Sequence, residues 1–291
     1  MITEALQHCR GVGEVRLSRL HQAGVRTWHD ALTNTDLIPD GLRQAVVEEC
    51  QRSLTALSEC DIRYFTDRLC PADRWRILHE YLDRATYFDI ETTGLNYDDT
   101  ITVIACRHKG ELLTFVEHEN LDDFLDLLDD VELLLSFNGS SFDIPRLLDT
   151  FHIPELPCAH LDLRWLSYHS NLHGGLKQIT FEMGLKRPDD LRNADGDLAI
   201  ELWSRWRNQQ DESARRLLLR YCAADVLLLE PLARHLARRP EISVENLWHL
   251  LPAADECAAA RDPVSERRQA LEKKFGPAGP TKLRMLRNRA G

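Results

Sequence analysis

The sequence predicts an α/β fold of five strands with flanking helices, behind a small all-α N-terminal region. Three observations lead there. From Ala85 onward, short apolar runs replace the helical pattern of residues 1–60. The elements then run strand, strand, strand, helix, strand, helix, strand and further helices, which is an α/β layering. The turn His108-Lys109-Gly110 joins the second and third strands as a hairpin.

The N-terminal region opens on a glycine-bounded turn, Cys9 to Gly13. A helix follows over Glu14–Ala23, with Val15, Leu17 and Leu20 among its apolar positions, and Gly24 suits the residue just past its end. Thr27 can cap the next helix, with Asp30 three residues on. The stretch Gly11 to Trp28 resembles a helix-hairpin-helix motif. In that family the Gly-hydrophobic-Gly hairpin offers backbone N–H groups to a phosphate at a helix N-terminus, where small residues allow close approach. The resemblance implies nucleic-acid backbone contacts at Arg10, Gly11, Gly13 and Arg16, with Arg19 adding charge. A helical bundle used for packing or protein contacts is the alternative.

Residues 61–85 connect, with a helix around Trp75–Leu82. Strands are expected at Ala85–Ile90, Thr100–Arg107 and Glu111–Val116. A helix over Leu121–Asp129 has apolar residues at 121, 124, 125 and 128. Strand Glu132–Phe137, helix Phe142–Phe151 and a short strand Ala159–Leu163 follow. Helices are then expected near Leu163–His169, Leu176–Met183, Asp197–Trp206 and Glu212–Arg238. Residues 240–260 read as helical, and a basic, flexible tail ends the chain. Three segments result: 1–60, 61–240 and 241–291.

A hydrophobic content of 43% over 291 residues supports a sizeable core and excludes global disorder. No apolar run approaches a membrane span, and Met1 to Ala5 lacks the pattern of a signal peptide, so a soluble, cytoplasmic protein with no membrane partner is expected. Eight cysteines with no Cys-x-x-Cys pair do not make a disulfide scaffold. Cys50, Cys60 and Cys70 fall at ten-residue intervals, but no close ligand pair accompanies them. The net charge is −11, unevenly spread: residues 261–291 carry nine Lys or Arg against three acids. An acidic domain binds a polyanion when divalent cations sit in its site and basic segments flank it.

Asp89 and Glu91, in Tyr-Phe-Asp-Ile-Glu-Thr-Thr-Gly-Leu, lie two apart on a predicted strand, so both side chains share one face. Side-by-side buried acids repel, and a cation between them resolves the repulsion. Asp143 stands near a helix N-terminus after Ser136-Phe-Asn-Gly-Ser-Ser-Phe142. Asp225 sits in an apolar helix with Tyr221 one turn before it on the same face. Singly, each has an ordinary explanation: a helix cap, a core acid, a half-buried aromatic.

Asp-Ile-Glu-Thr-Thr-Gly-Leu, then Asn-Gly-Ser-Ser-Phe-Asp, then Tyr-x-x-x-Asp resemble, in order, the three motifs of the DnaQ-like, ribonuclease H-type exonucleases. Tyr221 matches the tyrosine (DEDDy) branch, where the other branch has a His one residue earlier, here Arg220. His160-Leu-Asp-Leu163, Gly174-Gly-Leu-Lys177-Gln-Ile179 and Gly196-Asp-Leu-Ala199 resemble the YprB-like group within it. The resemblance covers residues 62–240 and implies a ribonuclease H-like mixed five-stranded sheet. It implies catalytic residues Asp89, Glu91, Asp143, Tyr221 and Asp225, the four acids holding two ions, Mg²⁺ or Mn²⁺, as oxygen donors suit. Tyr221 would orient the attacking water, since a phenol with its usual pKa near 10 is a poor base at neutral pH. Thr92, Gly94, Leu95, Asn138, Phe142 and Lys177 would contact the terminal nucleotide. His160 and Asp162 would play a structural part.

The activity so implied is 3′-5′ exonucleolytic hydrolysis of single-stranded ends, of DNA and in repair. The alternatives are an exoribonuclease or structure-specific endonuclease on the same fold, and a non-catalytic nucleic-acid-binding module. No P-loop occurs, so nothing points to an NTP-driven motor.

Overall fold

The computed structural model describes residues 1–96, 98–192 and 194–253. The chain divides into two compact units. Of the described residues, the first comprises 1–186 and 222–251, and the second 187–221 with 252 and 253.

The first unit begins with five helices: α1 (Glu14–Gln22), α2 (Trp28–Thr33), α3 (Asp40–Ser58), α4 (Ile62–Arg68) and α5 (Trp75–Tyr81). Local chemistry sets their ends. Gly24, at φ +96, follows the end of α1, and Thr27 with Asp30 forms a complete capping box on α2. Trp28 is fully buried, stacks on Phe65 at 5.9 Å and donates its indole N–H to the Ala5 carbonyl. Buried Glu49 of α3 accepts bonds from Tyr64 and Arg68 of α4 and from Arg52, so the charge is fully engaged. Arg63 of α4 reaches the Leu156 and Cys158 carbonyls, tying this helical region to the sheet that follows.

The sheet comprises β1 (Ala85–Thr92), β2 (Ile101–His108), β3 (Glu111–Val116), β4 (Leu133–Ser136) and β5 (Ala159–Asp162), in the order β3-β2-β1-β4-β5. β1–β2 and β2–β3 are antiparallel, while β1–β4 and β4–β5 are parallel. Lys109 and Gly110 both take positive φ in the hairpin turn, as a tight turn matched to strand twist requires. Between the later strands lie α6 (Asp123–Leu128) and α7 (Asp143–Thr150).

Alternation along β1 divides its side chains. Phe88 and Ile90 enter a core with Ile104, Phe124, Leu134 and Leu147, beneath α6 and α7. Tyr87, Asp89 and Glu91 point to the other face. After β5 come α8 (Leu163–His169) and α9 (Leu176–Glu182). The long helix α11 (Glu212–Leu236) contributes its portion from Cys222 to the first unit. That portion lies over the second face of the sheet: Cys222 meets Asp89, and Glu230 pairs with Arg107, the cross-strand partner of Tyr87.

The second unit holds α10 (Gly196–Gln209) and the first part of α11. Asp195 caps α10, Trp203 and Trp206 meet edge to face at 5.0 Å, and Arg205 pairs with Asp211. Residues 244–250 form two 3₁₀ turns, where the sequence reads as helical from 240. The basic tail expected at the C-terminus lies outside the described residues. No described helix is long and apolar enough to cross a membrane.

Candidate active site

The parallel strands β4 and β5 end level with each other beside the middle of β1, which runs on to Thr92, and the acids gather there. Asp89 and Glu91 share the face of β1 that α11 covers, as their two-residue spacing predicts. A carboxylate oxygen of each and the Sγ of Cys222 all lie within 4.8 Å of one another. A β-bulge at Glu91/Thr92 follows, where the strand leaves its ladder with β2. Asp143 opens α7 and is buried. Burial first, then the charge of Asp89, pushes its carboxyl well above the usual carboxylate range. Two acids forced together out of water are costly unless positive charge joins them. On α11, Asp225 stands three residues after Cys222, hence on the neighbouring surface of the helix, and is also buried. A donor set dominated by carboxylate oxygens fits a hard divalent ion such as Mg²⁺ or Mn²⁺.

Cys222 is the neighbour that sequence reasoning passed over. Its Sγ lies 3.7 Å from the Asp89 carbonyl oxygen and 3.9 Å from Asp89 Oδ2. Burial, then Asp89 and Glu91, raise this thiol well above its ordinary value, so it stays protonated and faces the carboxylate as a weak donor.

The turn that carries Asp143 is built by side chains distant in sequence. Asp162, at the end of β5, accepts the backbone N–H of Asn138 (2.7 Å), Ser140 (3.0 Å) and Arg164 (3.0 Å). Asn138 sits at φ +68. Gly139 is required by space: a Cβ there would fall 2.0 Å from Ser136 Oγ, itself bonded to His160 Nε2 at 2.8 Å. Burial lowers the His160 pKa to about 4, so the imidazole is neutral near pH 7. The expected structural part of His160 and Asp162 takes this concrete form.

The loop after β1 is similarly tied. Thr92 Oγ1 donates to the Gly94 carbonyl at 2.6 Å. The Asp99 carboxylate accepts from Asn96 N–H and Thr93 Oγ1. A Cβ on Gly94 would lie 2.5 Å from Asp99 Oδ2, so glycine is needed here for loop closure. Arg146 of α7 holds the loop from outside, donating to the Asp99 and Asn96 carbonyls at 2.8 and 2.9 Å while its guanidinium stacks 4.3 Å over the Phe142 ring. Leu95, beside this clamp, is 70% exposed. Asn138, expected to meet substrate, has its side-chain oxygen engaged by Arg164 and Ser141.

Tyr221 is buried on α11, one turn before Asp225, with Arg187 5.7 Å above its ring. Lys177 is exposed in the first turn of α9. In the N-terminal hairpin, Gly11 takes φ +86 and Gly13 is the N-cap of α1, with Arg10 exposed beside them. Arg16 folds back to donate to the Gly11 carbonyl at 2.7 Å.

A mixed five-stranded sheet flanked by helices, with paired acids at the end of its central strand, defines a ribonuclease H-like domain. Residues 86–237, just over half of the chain, match the model of the RNase_H superfamily, and the chain belongs to that superfamily. The solved family B DNA polymerase of the hyperthermophilic archaeon Pyrobaculum calidifontis is similar over 53% of this chain and 27% of its own, with 17% identity and a TM-score of 0.41. The chain thus spans about a quarter of that polymerase's length. No curated protein matches the sequence.

Proposed function

We propose that this chain is a two-metal-dependent nuclease, and within that class a 3′-5′ exonuclease of the tyrosine branch, related to the YprB-like group. One observation supports it above the others: buried Asp143 stands close enough to Asp89 for its charge to matter, with Glu91 on the same strand face. A module that only bound nucleic acid would gain nothing from such repulsion. Asp89, Glu91, Asp143 and Asp225 would hold Mg²⁺ or Mn²⁺. When bound, two such ions supply positive charge for the attacking and leaving oxygens of phosphodiester hydrolysis. The chain's own residues do the rest. Tyr221 orients the attacking water. Leu95 on the Arg146-held loop and Phe142 at the start of α7 face the last base or sugar of the strand. Lys177 serves as a phosphate contact, and the amides at Gly11 and Gly13 serve as a backbone contact in residues 1–60.

DNA in repair is the substrate and setting we favour, from the attached helix-hairpin-helix-like region. The deciding experiment digests matched end-labelled DNA and RNA, linear and circular, with and without Mn²⁺. Release of mononucleotides from the 3′ end of linear DNA supports the reading. Cutting of closed circles makes it an endonuclease, and preference for RNA makes it an exoribonuclease. Undiminished digestion by Asp89→Ala and Asp225→Ala together would remove the site.

A further inference from the structure

The acid-poor face of α8 lies next to the candidate site and touches it through Arg164. From Leu163 to Phe181 the sequence contains no Asp or Glu, in a chain with 47 acids among 291 residues. Asp162, just before that stretch, is buried and spent on the Asn138 turn. α8 buries Leu163, Leu166 and Ser167 and exposes Arg164, Trp165, Tyr168 and His169. Trp165 is 53% and Tyr168 57% exposed, which is unusual for side chains of this size. Residues three and four apart on a helix are neighbours, so these four make one continuous strip.

Both ends of the strip lead somewhere. At its start, Arg164 bonds the Asn138 side chain, on the turn that carries Asp143. At its end, His169 lines a pocket of about 430 Å³ shared with Trp75, Asn171, His235 and Arg238. Among the described residues, no acidic side chain lines that pocket. Its Arg238 guanidinium lies 3.9 Å from the centroid of the Trp75 ring. Tyr168 also meets His173 edge to face at 5.2 Å, which fixes its ring while leaving it open to solvent.

Exposed aromatics interleaved with Arg and His, on an otherwise acidic protein, suit one kind of partner. Bases stack on aromatic rings whatever their sequence, and cations follow the phosphates. A duplex keeps its bases from the rings, whereas a single strand offers them. We infer that the outer face of α8 is a track for single-stranded nucleic acid, with Trp165 and Tyr168 as stacking platforms, leading to the His169–Arg238 pocket. This rests on the nuclease reading for its direction only: the end of the strand lies among the acids, and the portion upstream runs along α8.

The test measures equilibrium binding of labelled oligo-dT and oligo-U of three, six and twelve nucleotides to the full chain in EDTA. Wild-type affinity should rise with length. Trp165→Ala/Tyr168→Ala should abolish that rise, with a loss of about tenfold per ring on the twelve-mer. Trp165→Phe should restore most of it, and His169→Glu should weaken binding and flatten its salt dependence. Should the double alanine variant fail to fold, Trp165→Phe and His169→Glu decide by themselves. Affinity that ignores length, or that is the same in wild type, double variant and His169→Glu, overturns the track, as does a blunt duplex that binds equally well and suffers equally from loss of the rings. A wild-type chain that hydrolyses nothing defeats the nuclease reading, yet the binding series still decides the track.

Discussion

The thiol of Cys222 lies 3.9 Å from Asp89 Oδ2, inside the cluster that also holds Glu91. Sulfur there could serve as a soft ligand, or as a neutral filler between helix and strand. The hard ions that carboxylate oxygens suit, Mg²⁺ and Mn²⁺, favour oxygen over sulfur, which favours the filler. Cys222→Ser should therefore keep Mg²⁺- or Mn²⁺-dependent activity within about threefold, at a stability cost of about 1 kcal/mol for the buried hydroxyl. Loss of more than about a hundredfold, with weaker metal binding by titration, would make the sulfur a ligand.

The burial of Asp143, with the charge of Asp89 beside it, has a pH signature. A carboxyl whose folded pKa is raised holds its proton longer in the native state. The stability it contributes is complete below the unfolded value near 3.9 and is lost as pH rises toward the folded value. In chelator, the midpoint of thermal unfolding should fall with pH above about 4. Asp143→Asn should lack that part of the slope and be the more stable chain near pH 7. Added Mn²⁺ should stabilise wild type, and should do so much less for the variant. Parallel slopes in the two chains would mean that neither burial nor Asp89 raises the Asp143 carboxyl. Hydrolysis by the variant should drop by more than about a hundredfold.

Arg146 joins three things: the Asn96 carbonyl, the Asp99 carbonyl and the face of Phe142. A planar guanidinium can fork between two acceptors and stack, whereas an ammonium cannot. Arg146→Ala and Arg146→Lys should thus both loosen the loop, each raising KM about tenfold with a smaller change in kcat. Proteolysis within residues 93–99 should become faster in both. A lysine variant with wild-type kinetics would show that charge alone suffices.

Tyr221→Phe keeps the ring beneath Arg187 and removes only the hydroxyl. If that hydroxyl orients the attacking water, kcat should fall about 10- to 100-fold while metal affinity and stability hold. An unchanged kcat takes Tyr221 out of the reaction.

Local patterns made much of the fold legible. Strand and helix limits follow from period and caps, so α8 spans Leu163–His169 as the sequence reads. The Lys109-Gly110 turn is encoded in two residues. The shared face of Asp89 and Glu91 needs only the strand period. What stayed hidden depends on contacts distant in sequence. Arg146 meets Asn96 fifty residues away, and Asp162 meets the Asn138 turn from 24 residues away. Neither partner has a local pattern that selects it. Gly94 is expected beside the terminal nucleotide, and a second reason for glycine there was hidden: the carboxylate of Asp99 fills the space a side chain would take. One signal was available: Asp162 stands at the junction of a strand and a helix, where a capping acid is favoured.

Asp162 gives the strictest test of how the site is held together. It accepts three backbone N–H groups, two on the turn that delivers Asp143 and one on α8. Asp162→Ala strands all three and should cost about 3 kcal/mol or more, since each bond to a charged group contributes about 1.5–3 kcal/mol. Asp162→Asn is the sharper variant. Its volume is the same, but one of its two positions now offers N–H groups to a backbone N–H. One bond of the set must break, at about 1–3 kcal/mol, and the Asn138 turn must shift. Asp143 begins α7 immediately beyond that turn, so the variant should lose kcat while Asp89 and Glu91 still retain a metal ion. The measurement is kcat together with Mn²⁺ stoichiometry on folded protein. Full activity in Asp162→Asn would show that Asp143 is placed by α7 alone, and that the turn is only a connection.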